Sequence, residues 1–562
     1  MFYDIGTKTV RIKLPGGNIN GYSIAFAAEP SVSEKFAAKE LTYYIEKLTG
    51  GGFSREGGRR IILGSTDPDE YGEENYRIFT DGNDLRIEGA PLRGTLYGVY
   101  SFLEDFLSVR FLTEECTVFS GEDIVVGRID TGMIQPVFEW RDAYYPCYWK
   151  AGIAVRRKVN SCEQRGITAE QGGTYLYSGR FVHTMESLLG VPQTEQPCFS
   201  DEDNLRKCIE GVRAILRDHP DTRIVSVTQN DNNIYCTCEK CRRIDEEEGS
   251  HSGSLLRFVN AVADDIKDDY PKAAIMTLAY LHTKKPPKIT RPRKNVIIEY
   301  APMESCYVHH LTDEVCTFNR ELMRDFEEWA KLTDRIYIWD YCADFSFTAP
   351  MFPDFHVLRG NMRYYAENSV RGMFSEGDNY RGKESTELPE LRAYLAAKLI
   401  WEPYMSEEDY KRHMYDFLTG YYGESGRHIG EYIDLCTRAL VDDHHHIDCY
   451  CNPIFLYKPT KLIPLLPEMN ALWEKAVSEA DGREHLARIK QAKIQFDFLY
   501  VFHLFDGVMK YGSGSEKEEM LQRNREFYES VKAIGLRPRG YGSELPALDD
   551  MTKNTAVKIY WN

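Results

Sequence analysis

Arg223-Ile-Val-Ser-Val-Thr-Gln-Asn-Asp-Asn232 is a short apolar run that ends abruptly in amides and a carboxylate. Downstream, Ser254-Leu-Leu-Arg-Phe-Val-Asn-Ala-Val-Ala-Asp-Asp-Ile266 repeats its apolar residues at helical spacing, and Ala274-Ile-Met-Thr-Leu-Ala-Tyr280 is again a short apolar run. Strand, polar loop, helix, strand is the unit of a parallel α/β fold. Working outward, comparable runs occur at Phe138–Arg141, Ala154–Val159, Asn295–Tyr300, Arg335–Trp339 and Val370–Phe374. They read as short and mainly apolar, as expected of strands covered on both faces.

Polar and aromatic residues gather directly after these runs, which is where the loops of a (β/α)8 barrel carry catalysis. No Gly-rich phosphate turn follows the first strand and no Walker motif is present, which disfavours an open dinucleotide-binding sheet and gives no cofactor. The expectation is an α/β protein with a (β/α)8 barrel over residues 136–388. Before it, residues 1–127 read as a small α+β domain. There Tyr22–Phe26, Arg60–Gly64, Tyr76–Phe79 and Asp84–Gly89 are strands, and Phe36, Leu41, Tyr44, Ile45 and Leu48 mark a helix stopped by Thr49-Gly50-Gly51. Residues 389–562 read as a helical C-terminal region.

The chain has 562 residues and a net charge of −18, so nucleic acid and anionic membranes are poor partners. Its opening residues have neither the basic start nor the apolar core of a signal peptide, and no stretch reaches the roughly 20 apolar residues of a span. The reading is cytoplasmic. The 14 cysteines are scattered, in keeping with buried thiols in a reducing compartment. An acidic surface and a helical C-terminal region permit a homodimer.

Asp231, Glu376 and Asp340 each end or follow a strand beside amides or aromatics. Glycoside cleavage needs such carboxylates to move a proton and to stabilise charge at the anomeric carbon, with aromatic faces to hold the sugar. Asp231 and Glu376 are the expected catalytic pair. Asn230, His183, Trp339, Asp340, Tyr341, Trp149 and Arg141 are the expected substrate contacts. The bland alternatives are turn caps and structural salt bridges, such as Glu376 with Arg381 or Asp340 with Arg335. Cys236-Thr-Cys-Glu-Lys-Cys241 offers Cys236, Cys238 and Cys241 as ligands for a structural zinc, with Cys306, His309 or Cys316 as a fourth. Asp442–Cys451 is read as a loop closing over the barrel mouth.

Ser226–Cys241, Gly253–Ala263, Leu278-Ala-Tyr280, Ile338-Trp-Asp-Tyr341 and Leu391–Pro403 together resemble the family catalogued as domain of unknown function 4838, part of which is classified as glycoside hydrolase family 163. Pro91–Glu104 resembles the non-catalytic N-terminal domain of hexosaminidases and α-glucuronidases. The resemblance implies cleavage of a β-linked N-acetylglucosamine unit in an oligosaccharide, with retention and with the substrate's acetamide as nucleophile. Two other readings stand beside it. An inverting α-glucuronidase would draw on Arg141, Arg180, Arg381 or Lys383, and a non-catalytic carbohydrate-binding protein would need none of the acids.

Overall fold

The computed structural model describes residues 1–55, 58–161, 166–377, 387–440, 445–451 and 456–534. Near the N-terminus, β1 (Tyr22–Phe26), β2 (Arg59–Leu63), β3 (Tyr76–Asp81) and β4 (Asp84–Gly89) form a four-stranded sheet in the order β1-β2-β4-β3. Helices α1 (Val32–Thr49) and α2 (Gly94–Ser101) pack together and α2 lies on the sheet. Ser31 and Glu34 close a capping box at the start of α1, and Gly50 ends the helix at φ 70°, a left-handed turn that glycine takes without strain.

The central sheet contains β5 (Trp140–Tyr144), β6 (Tyr177–Ser178), β7 (Ile224–Ser226), β8 (Ala274–Ala279), β9 (Val296–Tyr300), β10 (Ile336–Tyr341) and β11 (Val370–Glu376). All seven are parallel, and they follow each other in space as in sequence, with the first strand paired to the last. Such an order curls the sheet. Its two edges, β5 and β6, are bridged by Asn160, whose N–H donates to Arg141 O at 3.3 Å and whose carbonyl accepts from Tyr175 N–H at 2.6 Å.

Between strands run α3 (Ala151–Arg156), α4 (Glu202–Asp218), α5 (Glu239–Glu248), α6 (Ser252–Ile266), α7 (Thr317–Ala330) and α8 (Leu358–Glu367). The first half of the expected strand at Ala154–Val159 is thus the end of α3. Ile153, Ala154 and Val155 are buried in the outer core, so tertiary packing overrides the β-branched bias of that stretch.

Strand alternation divides the central sheet's side chains into two cores. Ile336, Ile338, Ile298 and Met373 face outward into the large core beneath the helices. Trp140, Tyr177, Ile224, Met276, Ile297, Tyr337 and Phe374 fill the concave side. Trp140 stacks on Tyr337 at 5.3 Å between ring centres. Gly372 makes room for this, because a Cβ there would lie 2.6 Å from the Tyr337 ring.

Helices α9 (Pro389–Trp401), α10 (Glu407–Tyr422), α11 (Arg427–Leu440), α12 (Leu466–Ser478), α13 (Arg483–Tyr511) and α14 (Gly514–Ile534) follow. Helix α9 packs back on β5, with Tyr148 Oη donating to Ala393 O at 2.6 Å. Among the described residues, no helix is long and apolar enough to cross a membrane.

Candidate active site

Glu376 is the last residue of β11, in register with Tyr341 of β10 and Tyr144 of β5. Alternation from Phe374 turns its side chain to the concave face, where Trp339 Nε1–H donates to Oε2 at 2.7 Å. The carboxylate is only 8% exposed. Its backbone is held from both sides: Glu376 O accepts from Cys342 N–H at 2.7 Å, and the next residue, Gly377, donates to Tyr144 O at 3.3 Å. Trp149 lies beside Tyr144, with ring centres 6.3 Å apart.

Asp231 stands in the loop after β7, exposed to solvent, and accepts from Tyr280 Oη at 3.2 Å. The amides around it have a different task from the one expected. Asn230 is fully buried, and its Nδ2 donates to Val191 O, Pro192 O and Glu195 O, while its N–H donates to Gln196 Oε1. Asn232 Nδ2 donates to Gln193 O and Glu195 O. The two asparagines lash the 191–196 segment to the strand end and leave Asp231 projecting between them. Asn230 is therefore a loop anchor, and its expected contact with substrate is not supported by this placement.

His183 is at the same rim. Its Nδ1 lies 2.8 Å from Gln229 O, a carbonyl that can only accept, so Nδ1 carries the proton and a neutral ring offers Nε2 as acceptor. The backbone there has φ 56°, and Leu281, directly after Tyr280, has φ 49°. Left-handed backbone in non-glycine residues costs of order 1–3 kcal/mol and gathers at functional sites. His183 N–H donates to Thr228 Oγ1 at 2.7 Å, and Thr228 exchanges further bonds with Thr184, which holds the strained residue in place.

Tyr450 feels the charge of both carboxylates. Burial pushes its hydroxyl up to about 12, and Cys449, Glu376 and Asp231 add to the shift in that order. Tyr341, buried beside it, is also pushed up by burial, then by Glu376. Asp231, Glu376, Trp339, Tyr341, Tyr280, His183 and Tyr450 thus gather at the carboxyl ends of β7, β8, β10 and β11. Of the expected Asp442–Cys451 loop, residues 445–451 are described, and they pack on the segment after β10, with the Tyr450 and Phe345 ring centres 5.9 Å apart.

Two expected contacts do not reach it. Arg141 points outward from β5 and is buried against the N-terminal part, where Nη1 donates to Glu74 Oε2 at 2.7 Å and Nε to Lys158 O at 2.8 Å. Asp340 shares the outward face with Ile336 and Ile338. Burial and then the Asp354 carboxylate push its carboxyl up to about 7, and Cys342 Sγ is 3.8 Å away. The alternation of β10 gives the mouth to Trp339 and Tyr341 instead. Arg335, offered above as a partner for Asp340, pairs with Glu139 at 3.0 Å. Arg180 pairs with Glu186 at 3.3 Å, and Arg381 and Lys383 lie outside the described residues.

One acid was passed over in the sequence. Glu299 of β9 lies on the concave face between Ile297 and the strand's end, fully buried, and neither carboxylate oxygen has a hydrogen-bond partner among the described residues. Burial, reinforced by Asp142, pushes its carboxyl up to about 8. A single acid in Val296-Ile-Ile-Glu-Tyr300 was the available signal.

The expected zinc ligands Cys236, Cys238 and Cys241 do converge, but the fourth sulfur is Cys198 rather than Cys306, His309 or Cys316. The four Sγ atoms lie within 4.8 Å of one another. Cys198 is 3.6 Å from Cys238 and 3.7 Å from Cys241. A tetrahedron with zinc–sulfur bonds of about 2.3 Å has edges of about 3.8 Å. The cluster joins the segment leashed by Asn230 to the start of α5.

Two solved structures are similar to this chain at a TM-score of 0.47. One, described as a "GH138 enzyme targeting pectin rhamnogalacturonan II", is 12% identical, with 91% of this chain and 74% of that one covered. The other, "Structure of CpGH84D", is 11% identical, with 100% and 98% covered. No curated protein matches the sequence. The family model described as "Domain of unknown function (DUF4838)" matches residues 137–434, more than half of the chain and all seven strands of the central sheet. The chain belongs to the DUF4838 family.

Proposed function

We propose that the chain is a glycoside hydrolase acting on oligosaccharides that contain β-linked N-acetylglucosamine, with retention and with the substrate's acetamide as nucleophile. The observation that carries the reading is the mouth itself. Glu376 accepts from the Trp339 indole N–H and Asp231 from the Tyr280 hydroxyl, and the charges of both carboxylates act on Tyr450, with Tyr341 in register beside Glu376. Aromatic faces hold a sugar ring, and two carboxyl groups supply the proton transfer and the electrostatic support that glycoside cleavage requires. The Trp339 indole N–H donates to Glu376 and fixes the direction of its carboxylate at the mouth. Asp231 and Glu376 divide between them the roles of proton donor to the leaving oxygen and support for the acetamide.

The fold reading is extended in the same way. Asn160, bonded to both edges of the central sheet, makes Val159–Ser161 the eighth strand of a closed (β/α)8 barrel. Helix α9, packed on β5, then belongs to that barrel, so the catalytic part runs to Trp401 instead of 388. The N-terminal part ends near residue 127, and the remaining helices form the C-terminal region, whose 445–451 segment serves the mouth.

Hydrolysis of an aryl β-N-acetylglucosaminide, with and without an N-acetylglucosamine-thiazoline inhibitor, tests the reading. Asp231→Asn and Glu376→Gln are each expected to lower kcat by about 10²–10⁴-fold. A near-wild-type rate in either variant removes that residue from the mechanism. Cleavage of an α-glucuronide alone, untouched by the thiazoline, sinks the acetamide route.

A further inference from the structure

The three residues that do not complete the four-sulfur cluster meet elsewhere. Cys306 and His309 lie in the loop after β9, Cys316 caps the N-terminus of α7, and His446 arrives from the segment beyond α11. We infer that Cys306, His309, Cys316 and His446 form a second, structural zinc site that fastens the 445–451 segment over the mouth.

The dimensions support a metal. All four ligand atoms lie within 4.8 Å of one another. Cys306 Sγ is 3.2 Å from His309 Nδ1, and Cys316 Sγ is 3.5 Å from His446 Nδ1. Zinc–sulfur bonds of about 2.3 Å and zinc–nitrogen bonds of about 2.0–2.1 Å give tetrahedral sulfur–nitrogen edges of about 3.6 Å. Two thiolates and two imidazoles form a closed structural donor set, and their softness favours zinc over calcium or magnesium. Both cysteines are free and buried.

The scaffold around the four is already fixed. Buried Asn319, on the first turn of α7, accepts from Cys306 N–H at 2.8 Å and donates through Nδ2 to Cys306 O and His309 O. One side chain therefore sets the conformation of the Cys306–His309 loop, and outer contacts of this kind are what orient metal ligands. The neighbours of His446 are tied in as well. Tyr307 N–H donates to Ile447 O at 2.8 Å, Phe345 N–H donates to Cys449 O at 2.7 Å, and Cys449 Sγ donates to Met303 O at 3.4 Å. A metal there would crosslink positions 306 and 446 and so hold Tyr450 in place.

The test is metal content of the full-length chain, which is independent of the hydrolase reading. Purified protein is dialysed against dilute zinc and then metal-free buffer, and zinc per chain is measured by mass spectrometry. Wild type is compared with Cys316→Ser, His446→Ala and His446→Cys, and with Cys238→Ser, which touches only the four-sulfur cluster. The expected result is one equivalent fewer in Cys316→Ser and His446→Ala, restored in His446→Cys, where a thiolate again ligates. The Cys238→Ser variant is expected to keep at least one equivalent. Near-UV circular dichroism of each variant checks that the fold persists, and cobalt-loaded Cys238→Ser is expected to show sulfur-to-metal charge transfer with tetrahedral d–d bands. Wild-type zinc content in both Cys316→Ser and His446→Ala, or none in folded Cys238→Ser, overturns the inference.

Discussion

Glu74 and Glu299 are both nearly shut off from water, on opposite faces of the central sheet and in opposite electrical settings. Glu74 lies at the seam between the N-terminal sheet and β5. It accepts from Arg93 Nε at 2.7 Å, Arg141 Nη1 at 2.7 Å and Asn160 Nδ2 at 2.9 Å. Burial alone raises its carboxyl, but Arg141 and Arg93 outweigh it and hold it down at about 2. Glu299 has none of this and sits at about 8. A buried carboxylate satisfied on every side fastens two parts of the chain. One without partners is kept as a neutral acid by its surroundings, and the concave face is where that environment exists.

The strongest way to break the contrast is to remove Glu74. The Glu74→Ala variant leaves Arg141 buried without its counter-charge and Arg93 with only the half-exposed Glu73, which costs about 3–5 kcal/mol. Urea unfolding at pH 7 measures it, and a loss under about 1 kcal/mol would mean that the seam does not depend on this pair of charges. The sign with pH follows from linkage. The folded-state value lies below the ordinary carboxylate range, so this stabilisation is present above about pH 4.5 and disappears as pH falls toward about 2.

Glu299 sharpens the same contrast from the other side. Its folded-state value lies above its ordinary 4.5, so the folded protein holds the proton more tightly and stability falls as pH rises between 4.5 and about 8. This one group contributes a slope of up to about 1.4 kcal/mol per pH unit. The Glu299→Gln variant is neutral throughout, so its stability relative to wild type should climb steadily from pH 5 to 8. Parallel pH profiles for the two proteins would show that Glu299 has found a partner or water inside the sheet.

How much of this could be read from the sequence depended on whether the signal was local. Strands β7 to β11 were legible because each is an apolar run closed by polar residues; Glu376 does end β11, whereas Asp231 stands in the loop five residues beyond the end of β7. The two-residue β6 and the bridge at Asn160 carry no periodicity, so the way the sheet curls on itself was hidden. Arg141 and Asp340 were misplaced for one reason: being next to the mouth in sequence does not tell on which face of a strand a side chain stands. Reading Asp340 against Trp339 by strict alternation would have separated them. Asn230 was misread because an amide's partners, here three carbonyls of the 191–195 segment, lie far along the chain. Cys198 stands alone in Gln196-Pro-Cys-Phe199, and only folding brings it to the other three sulfurs.

The smallest effects separate the two faces of a single strand. Trp339 and Asp340 are neighbours on β10, one facing the mouth and the other the outer core. The Trp339→Phe variant keeps an aromatic ring against Phe374, 4.6 Å between centres, but removes the only N–H that reaches Glu376 Oε2 from that side chain. A hydrogen bond to a charged group contributes about 1.5–3 kcal/mol, so kcat/KM should fall roughly ten- to a hundredfold. The Asp340→Asn variant removes a carboxyl that stands among outer-layer side chains, away from the mouth, and should leave kcat/KM within about threefold. Its trace should instead appear in stability, which would fall less steeply between about pH 4 and 7 than in wild type. If Asp340→Asn lowered turnover as much as Trp339→Phe does, the outward face of β10 would be coupled to the chemistry, and the division of labour between the two faces would have to be abandoned.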